Sequence, residues 1–301
     1  MKNIQGWINL YKPKNLTSFK AINQLKKKFS IEKIGHGGTL DPAAEGILPI
    51  AVGKATKLIP FIKINLKIYN FVVNWGYQTT TDDSEGEILF RSNIYPTLSN
   101  IKKKVKNYLG NINQIPPKVS AVKINGIRAY KLFRQKKSFD IQSKKVFVKD
   151  LKVVRHEKLR THFRIECGKG FYIRSLARDL AQDLGTYGHI SDLEREKVGK
   201  FTKETSILLD DLLKIRQRHE EINCILPTIS MLDDILAYEI EDLDDIKDLS
   251  FGRSIKIDEK KIINSQSISL DRKVIFLSKK GDIVSIGKLV GNLFKPNKIL
   301  L

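Results

Sequence analysis

One carboxylate stands out by its setting. In GHGGTLDPAAEGILP (35–49), three glycines and His36 lead to Asp41, which lies between Leu40 and Pro42. A carboxylate can attack an electrophilic carbon or accept a proton when it is ionised and held still. Pro42 restricts the backbone beside it. An arginine partner would lower its pKa and keep it charged. Arg174, in GFYIRSLARDL, is the candidate partner. It sits among Phe171, Tyr172, Ile173 and Leu176, where an unpaired guanidinium would be costly. Asp41 also has a plainer reading, an Asx-type turn behind a glycine loop, and local spacing leaves both open.

Other chemistries lose their motifs. The nearest approach to a phosphate-binding loop, GILPIAVGKA, has the wrong spacing and ends in alanine where Ser or Thr is needed. No GxSxG elbow and no HExxH occur, and the five histidines are scattered. Cys167 and Cys224 stand apart without CxxC spacing, which argues against a disulfide framework or a thiolate zinc site and fits a reducing compartment. No metal and no cofactor are expected. The charge is strongly basic, with 54 Lys and Arg against 33 Asp and Glu, a formal +21. That balance favours polyanionic partners such as nucleic acid. Abundant Ile, Lys and Asn also point to an AT-rich genome as a second source of lysine. With nucleic acid in view, the Tyr69 ring either packs in a core or stacks on a base, and His36 either caps a turn or enters an RNA loop.

The elements that must position these residues follow from periodicity. At 301 residues, two domains are expected. GWINLY (6–11) reads as a buried strand. Thr17 or Ser18 caps a helix whose apolar positions are Phe19, Ile22, Leu25 and Phe29. ILPIAV (47–52) reads as a buried strand and ATKLIPFI as a short helix interrupted by Pro60. Tyr69, Phe71, Val73 and Trp75 alternate along a strand, and TTTDDSEGE is a turn. Leu98, Ile101, Val105 and Tyr108 mark a helix closed by Gly110. Residues 115–137 form an excursion with its own hairpin or helix. KKVFVKDLKVVRHE and THFRIECGKG are paired strands. After Gly170, Ile173, Leu176, Ala177, Leu180 and Leu184 describe a helix ending at Gly185, with Arg174 and Arg178 on one face. Composition shifts near 231, with eight acids and one lysine across 231–250, and KVIFLSKKGDIVSIGKLVGNLFKPNKI follows as short alternating strands. No apolar run approaches a membrane span, and MKNIQGWINLYKPKN has no features of a secretory signal.

Taken together, these strings resemble the TruB family of tRNA pseudouridine synthases along nearly the whole chain. GHGGTLDPAAEGILPIAVGKATK is similar to the motif of the family's catalytic aspartate, INLYKPKNLTS to its KP motif, and KIYNFVVNWGYQTTTDDSEG to its tyrosine strand. IPPKVSAVKINGIRAY resembles its RNA-gripping thumb and GKGFYIRSLARDLAQDLG its arginine motif. The resemblance implies an α+β fold, a mixed and mostly antiparallel sheet flanked by helices. It implies a catalytic domain over 1–235, with a thumb at about 115–145, and a small β-rich PUA-like domain over 236–301. It implies isomerisation of the uridine at position 55 in the tRNA T loop. Asp41, Tyr69 and Arg174 would be catalytic; His36, Gly37, Lys12, Leu193 and Lys123 would bind substrate. The tRNA T arm is the expected partner, without a membrane or an obligatory protein partner, for a cytoplasmic monomer. Four positions depart from the family pattern: Ala43 and Glu45 replace Leu and Thr, Lys54 replaces Glu, and Glu194 replaces Arg. The last puts one RNA backbone contact in question. Three rival readings are a non-catalytic RNA binder on the same fold, a synthase for ribosomal or guided RNA, and an unrelated basic enzyme that shares only the Leu-Asp-Pro turn, which the ordered run of motifs disfavours. Thr39, where ribosomal RNA families typically carry arginine, speaks against the ribosomal one.

Overall fold

The structure is a computed structural model that describes residues 4–62, 66–216, 223–231, 236–263 and 274–300. Asp233, Asp234 and Lys273, which belong to the acidic shift and to the first C-terminal strand as read above, lie outside the described residues.

The first elements are strand β1 (Gly6–Lys12), helix α1 (Ser18–Lys28), and strands β2 (Ile34–His36) and β3 (Glu45–Val52). Thr17, not Ser18, caps α1: its hydroxyl accepts from the Lys20 amide at 3.0 Å. The apolar reading of this helix needs correction. Ser18, Ala21, Ile22 and Leu25 make the buried stripe, whereas Phe19 is 69% exposed. Phe19 is one residue, about 100° of rotation, off that stripe, so 3.6-residue spacing from one starting point does not place it inside. A 3-10 helix over Gly53–Phe61 contains Pro60, as the sequence suggests.

Next come β4 (Lys67–Trp75), the short pair β5 (Tyr77–Thr79) and β6 (Ile88–Arg91), α2 (Leu98–Lys104) and β7 (Gly110–Gln114). The 115–137 excursion holds both a hairpin, β8 (Lys123–Ile124) with β9 (Ile127–Arg128), and helix α3 (Ala129–Arg134). Long strands β10 (Lys144–Glu157) and β11 (Arg160–Cys167) follow, then α4 (Ile173–Asp183) and β12 (Gly188–Val198). Gly185 ends α4 at φ 74, a conformation that favours glycine. The rest comprises β13 (Phe201–Thr202), β14 (Ile207–Leu208), α5 (Leu209–Lys214), β15 (Leu236–Glu239), α6 (Leu243–Ser250), β16 (Ile255–Lys256), β17 (Val274–Lys279), β18 (Asp282–Val290) and β19 (Leu293–Ile299). No helix among the described residues is long and apolar enough to cross a membrane.

Two compact units result. One contains Pro42–Gly46 and Leu66–Val198. Its sheet runs β12–β4–β11–β10–β7, all antiparallel, and Glu45 and Gly46 add a short parallel ladder on β12. Phe71 stacks on Phe163 at 5.1 Å, and Trp75 donates its indole N–H to Thr161. The other unit contains Met1–Asp41, Ile47–Asn65 and Gly199–Leu301. Strands β14, β1, β3 and β2 pair in that order, and Trp7, fully buried, donates to the Thr228 carbonyl at 2.9 Å. The same unit holds a five-stranded sheet, β15–β17–β18–β19–β16, closed over Leu236, Leu249, Ile275, Leu277 and Phe294. The expected mixed, mostly antiparallel α+β architecture with a β-rich C-terminal sheet is what the chain forms.

Candidate active site

Lys12 begins one chain of contacts. It is fully buried, and its Nζ donates to the carbonyls of Pro13 and Leu16 at 2.7 Å each. These bonds fix the loop that delivers the start of α1. There Ser18, freed from capping by Thr17, turns inward. Its hydroxyl donates to the Leu40 carbonyl at 2.9 Å and accepts from the Leu40 amide at 3.0 Å. One side chain thus satisfies both backbone groups of the residue before Asp41, inside the core, where either would be costly unpaired. The glycine loop adds two local ties. Gly37 donates to the Pro49 carbonyl at 2.8 Å, and the Gly38 amide donates to His36 Nδ1 at 3.3 Å. His36 and Asp41 are both partly exposed.

On the C-terminal side of Asp41, Gly46 has φ +110 and is register partner to Arg195. A Cβ there would overlap the Arg195 backbone oxygen and lie 2.8 Å from its nitrogen. Only glycine allows this approach without displacement.

Strand β12 carries Leu193 and Arg195, opposite Phe71 and Tyr69 of β4. Directly opposed residues share a sheet face, so Tyr69, Phe71, Leu193 and Arg195 lie on one face. Tyr69 is 8% exposed and Arg195 is 1% exposed. Glu194 is register partner to Glu45, so two of the four departures from the family pattern are neighbours in the ladder.

Arg174, in the first turn of α4, is buried at 6% exposure. Its guanidinium donates to the carbonyls of Thr81 and Val119 at 3.0 and 3.1 Å and lies 3.5 Å from Asp83 Oδ2. One turn on, Arg178 pairs with Asp82 at 3.2 Å and donates to the Ile115 carbonyl. The two arginines share a face, as their spacing predicts, and that face grips the TTTDD turn. The turn is braced in return. Gln78 donates to Asp82, Thr81 to Asp83, and the Ile190 amide of β12 to the Asp82 carbonyl. Burial, opposed by Arg178, raises the Asp82 pKa above the usual carboxylate value.

Residues 26–173 match the family described as TruB family pseudouridylate synthase (N terminal domain), and residues 174–237 match the tRNA pseudouridylate synthase B C-terminal domain. The chain belongs to the TruB family. It is similar to a protein of Ehrlichia chaffeensis named tRNA pseudouridine synthase B, 38% identical over 303 residues and 98% of each chain. It is also similar to the Caulobacter vibrioides protein of that name, 42% identical over 253 residues, covering 84% of this chain and 81% of the other. Among solved structures it resembles a chain in a crystal structure of a Cbf5-Nop10-Gar1 complex, at TM-score 0.74 and 24% identity, covering 98% of this chain and 85% of that one. That likeness concerns the fold.

For this TruB-family chain, the structure brings Tyr69 and Leu193 to one face of one unit, and buries Arg174 in the same unit. It puts Lys12, His36, Gly37 and Asp41 in the other unit. Lys123 lies on exposed β8. Four contributors escape the sequence reading. Asp82 and Asp83 read as turn residues, although two acids facing an Arg-x-x-x-Arg helix are a usable signal. Ser18 competes with Thr17 for the cap. Arg195 is hidden among the alternating charges of LEREK.

Proposed function

We propose that the chain isomerises uridine to pseudouridine in tRNA, at position 55 of the T loop, with Asp41 as the reacting carboxylate and no cofactor. The observation that carries this reading is the anchoring of Leu40 and Gly46 on either side of Asp41, in a chain of the TruB family. Such anchoring suits a group that must be held while a base moves.

In the reaction, the N1–C1′ bond of uridine breaks and a C5–C1′ bond forms. N1 gains a proton and C5 loses one. Atoms and electrons balance within the substrate, so no redox partner or hydrolytic water is needed. The target nucleotide leaves its stack at a cost of a few kcal/mol, less in a loop than in a duplex. Asp41 then acts by attack on C1′, by addition at C6, or by removing a ribose proton. Tyr69 and Leu193 hold the detached base while it turns, with Tyr69 as candidate acceptor of the C5 proton. Arg174 supports the negative charge of Asp41. His36 and Gly37 receive the displaced loop nucleotides, and Lys123 belongs to a thumb over about 115–145 that grips RNA. Residues 1–235 act as the catalytic domain, with Lys12 at its floor, and 236–301 as a PUA-like RNA-binding module. The chain works as a monomer in the cytoplasm.

The test is incubation of the full chain with a T-arm minihelix, followed by mapping of pseudouridine. Product at the T-loop uridine is expected, with none when cytidine replaces that uridine or when Asp41→Asn replaces the enzyme. Turnover by Asp41→Asn sinks the assigned role, and product elsewhere sinks the assigned position.

A further inference from the structure

Phe19 is out of place for a helix that otherwise buries its apolar residues. It is 69% exposed, beside a stripe of Ser18, Ala21, Ile22 and Leu25 that is closed. Two other open aromatics carry a partner. Phe251, 68% exposed, carries the Arg253 guanidinium 5.5 Å from its ring centre, and Phe90 stacks on Tyr187 at 5.2 Å. Phe19 has no ring or cation partner among the described residues.

Its position gives this open ring a meaning. Ser18, its neighbour, is hydrogen-bonded in both directions to Leu40, the neighbour of Asp41. With 3.8 Å between successive Cα atoms and 3.0 Å from the Ser18 hydroxyl to the Leu40 amide, the Cα atoms of Phe19 and Asp41 are at most about 15 Å apart. Along the helix, Asn23, Lys26 and Lys27 continue the flank that Phe19 opens, at the i+4, i+7 and i+8 steps, and Ser30 follows just past its end. Asn23, Lys26, Lys27 and Ser30, together with Ile31 and one acid, Glu32, line a shallow cavity of about 560 Å³. The helix sequence SFKAINQLKKK holds four lysines and no acid. From Phe19 to Lys27 the flank is about 12 Å long, the reach of a few nucleotides.

We infer that this flank of α1 is an RNA-binding strip. Phe19 stacks on a base near the reacting uridine, and Lys26 and Lys27 neutralise phosphates further along the same strand. An aromatic face beside a cationic track is how proteins hold single-stranded RNA. An acidic protein partner would use the lysines and leave the ring without a role. The inference rests on the function proposed above and adds a substrate contact to it.

The test uses the full chain and the T-arm minihelix, with turnover and filter binding measured side by side. Phe19→Ala is expected to raise KM and Kd about tenfold with kcat unchanged, in line with the loss of one stacked base. Phe19→Trp restores both and Phe19→Leu does not. Removing Lys26 and Lys27 together lowers the slope of log Kd against log salt by about 1.4. Binding by Phe19→Ala equal to that of the parent overturns the stacking role. Full recovery by Phe19→Leu overturns it too, since a leucine has no ring to stack. An unchanged salt slope removes the phosphate track. If the parent chain makes no pseudouridine, the proposed function fails while filter binding still decides the strip.

Discussion

The two units hold their polar groups by opposite means. Around α4, full charges face each other in the interior: Arg174 with Asp83 and Arg178 with Asp82. Beside Asp41, the ties to Leu40 and Gly37 are neutral, a serine hydroxyl and backbone amides meeting backbone carbonyls. Ion pairs fix a turn strongly and would perturb any nearby titrating group. Neutral ties fix a loop while adding no charge of their own. One unit thus fixes a turn with buried charges, and the other fixes a loop with neutral groups.

The largest expected effect tests what the neutral loop is for. Asp41→Asn abolishes pseudouridine formation while melting temperature and RNA affinity stay near the parent values. The charged frame is tested next. Asp83→Asn takes one acidic neighbour from Arg174 in the interior and costs about 3 kcal/mol in denaturant unfolding. Asp82→Asn costs less, because Arg178 is more open and keeps Asp179 at 2.8 Å. A reversed order would mean that burial does not set the strength of the two pairs. Gly46→Ala forces the chain off Arg195 and loses about 2 kcal/mol together with most activity. A fully active Gly46→Ala enzyme would show that the approach to β12 does not position Asp41. Ser18→Ala removes one hydroxyl that makes two hydrogen bonds. It costs about 1–2 kcal/mol and lowers kcat roughly tenfold with KM unchanged. A rise in KM instead would mark Ser18 as a substrate contact.

The smallest effect concerns the Lys67 amine, whose charge burial disfavours. Burial, and after it the Arg195 charge, push the Lys67 amine down from 10.5 to about 8. Its folded pKa is below its unfolded one, so the folded state resists the proton. The penalty is complete below about pH 8 and disappears as pH rises to about 10.5. Lys67→Met is therefore more stable than the parent at pH 7, by about 1 kcal/mol after allowance for its partial exposure. The gap closes toward pH 10.5. A constant gap across that range would assign the gain to packing.

Local spacing was enough for most elements. Tyr69, Phe71, Val73 and Trp75 form the strand their alternation describes, and Gly185 ends the helix that Ile173 begins. Arg174 and Arg178 share a face because four residues nearly complete a helical turn. Phe19 fails for an equally local reason: a helix has one buried stripe, and spacing alone does not say where its edge falls. Asp82 and Asp83 read as a solvated turn because their arginines are more than ninety residues away in sequence.

The chain by itself determined its periodicities, its glycine and proline punctuation, its basic charge and the ordered motifs of its family. Those properties depend on bonds and steps within a few residues. Tertiary structure alone decided that Ser18 serves Leu40 while Thr17 caps α1, that Gly46 meets Arg195, and that the TTTDD turn is gripped by α4. Each is a choice among partners distant in sequence, settled by burial: a polar group taken from water must bond with whatever the fold brings to it.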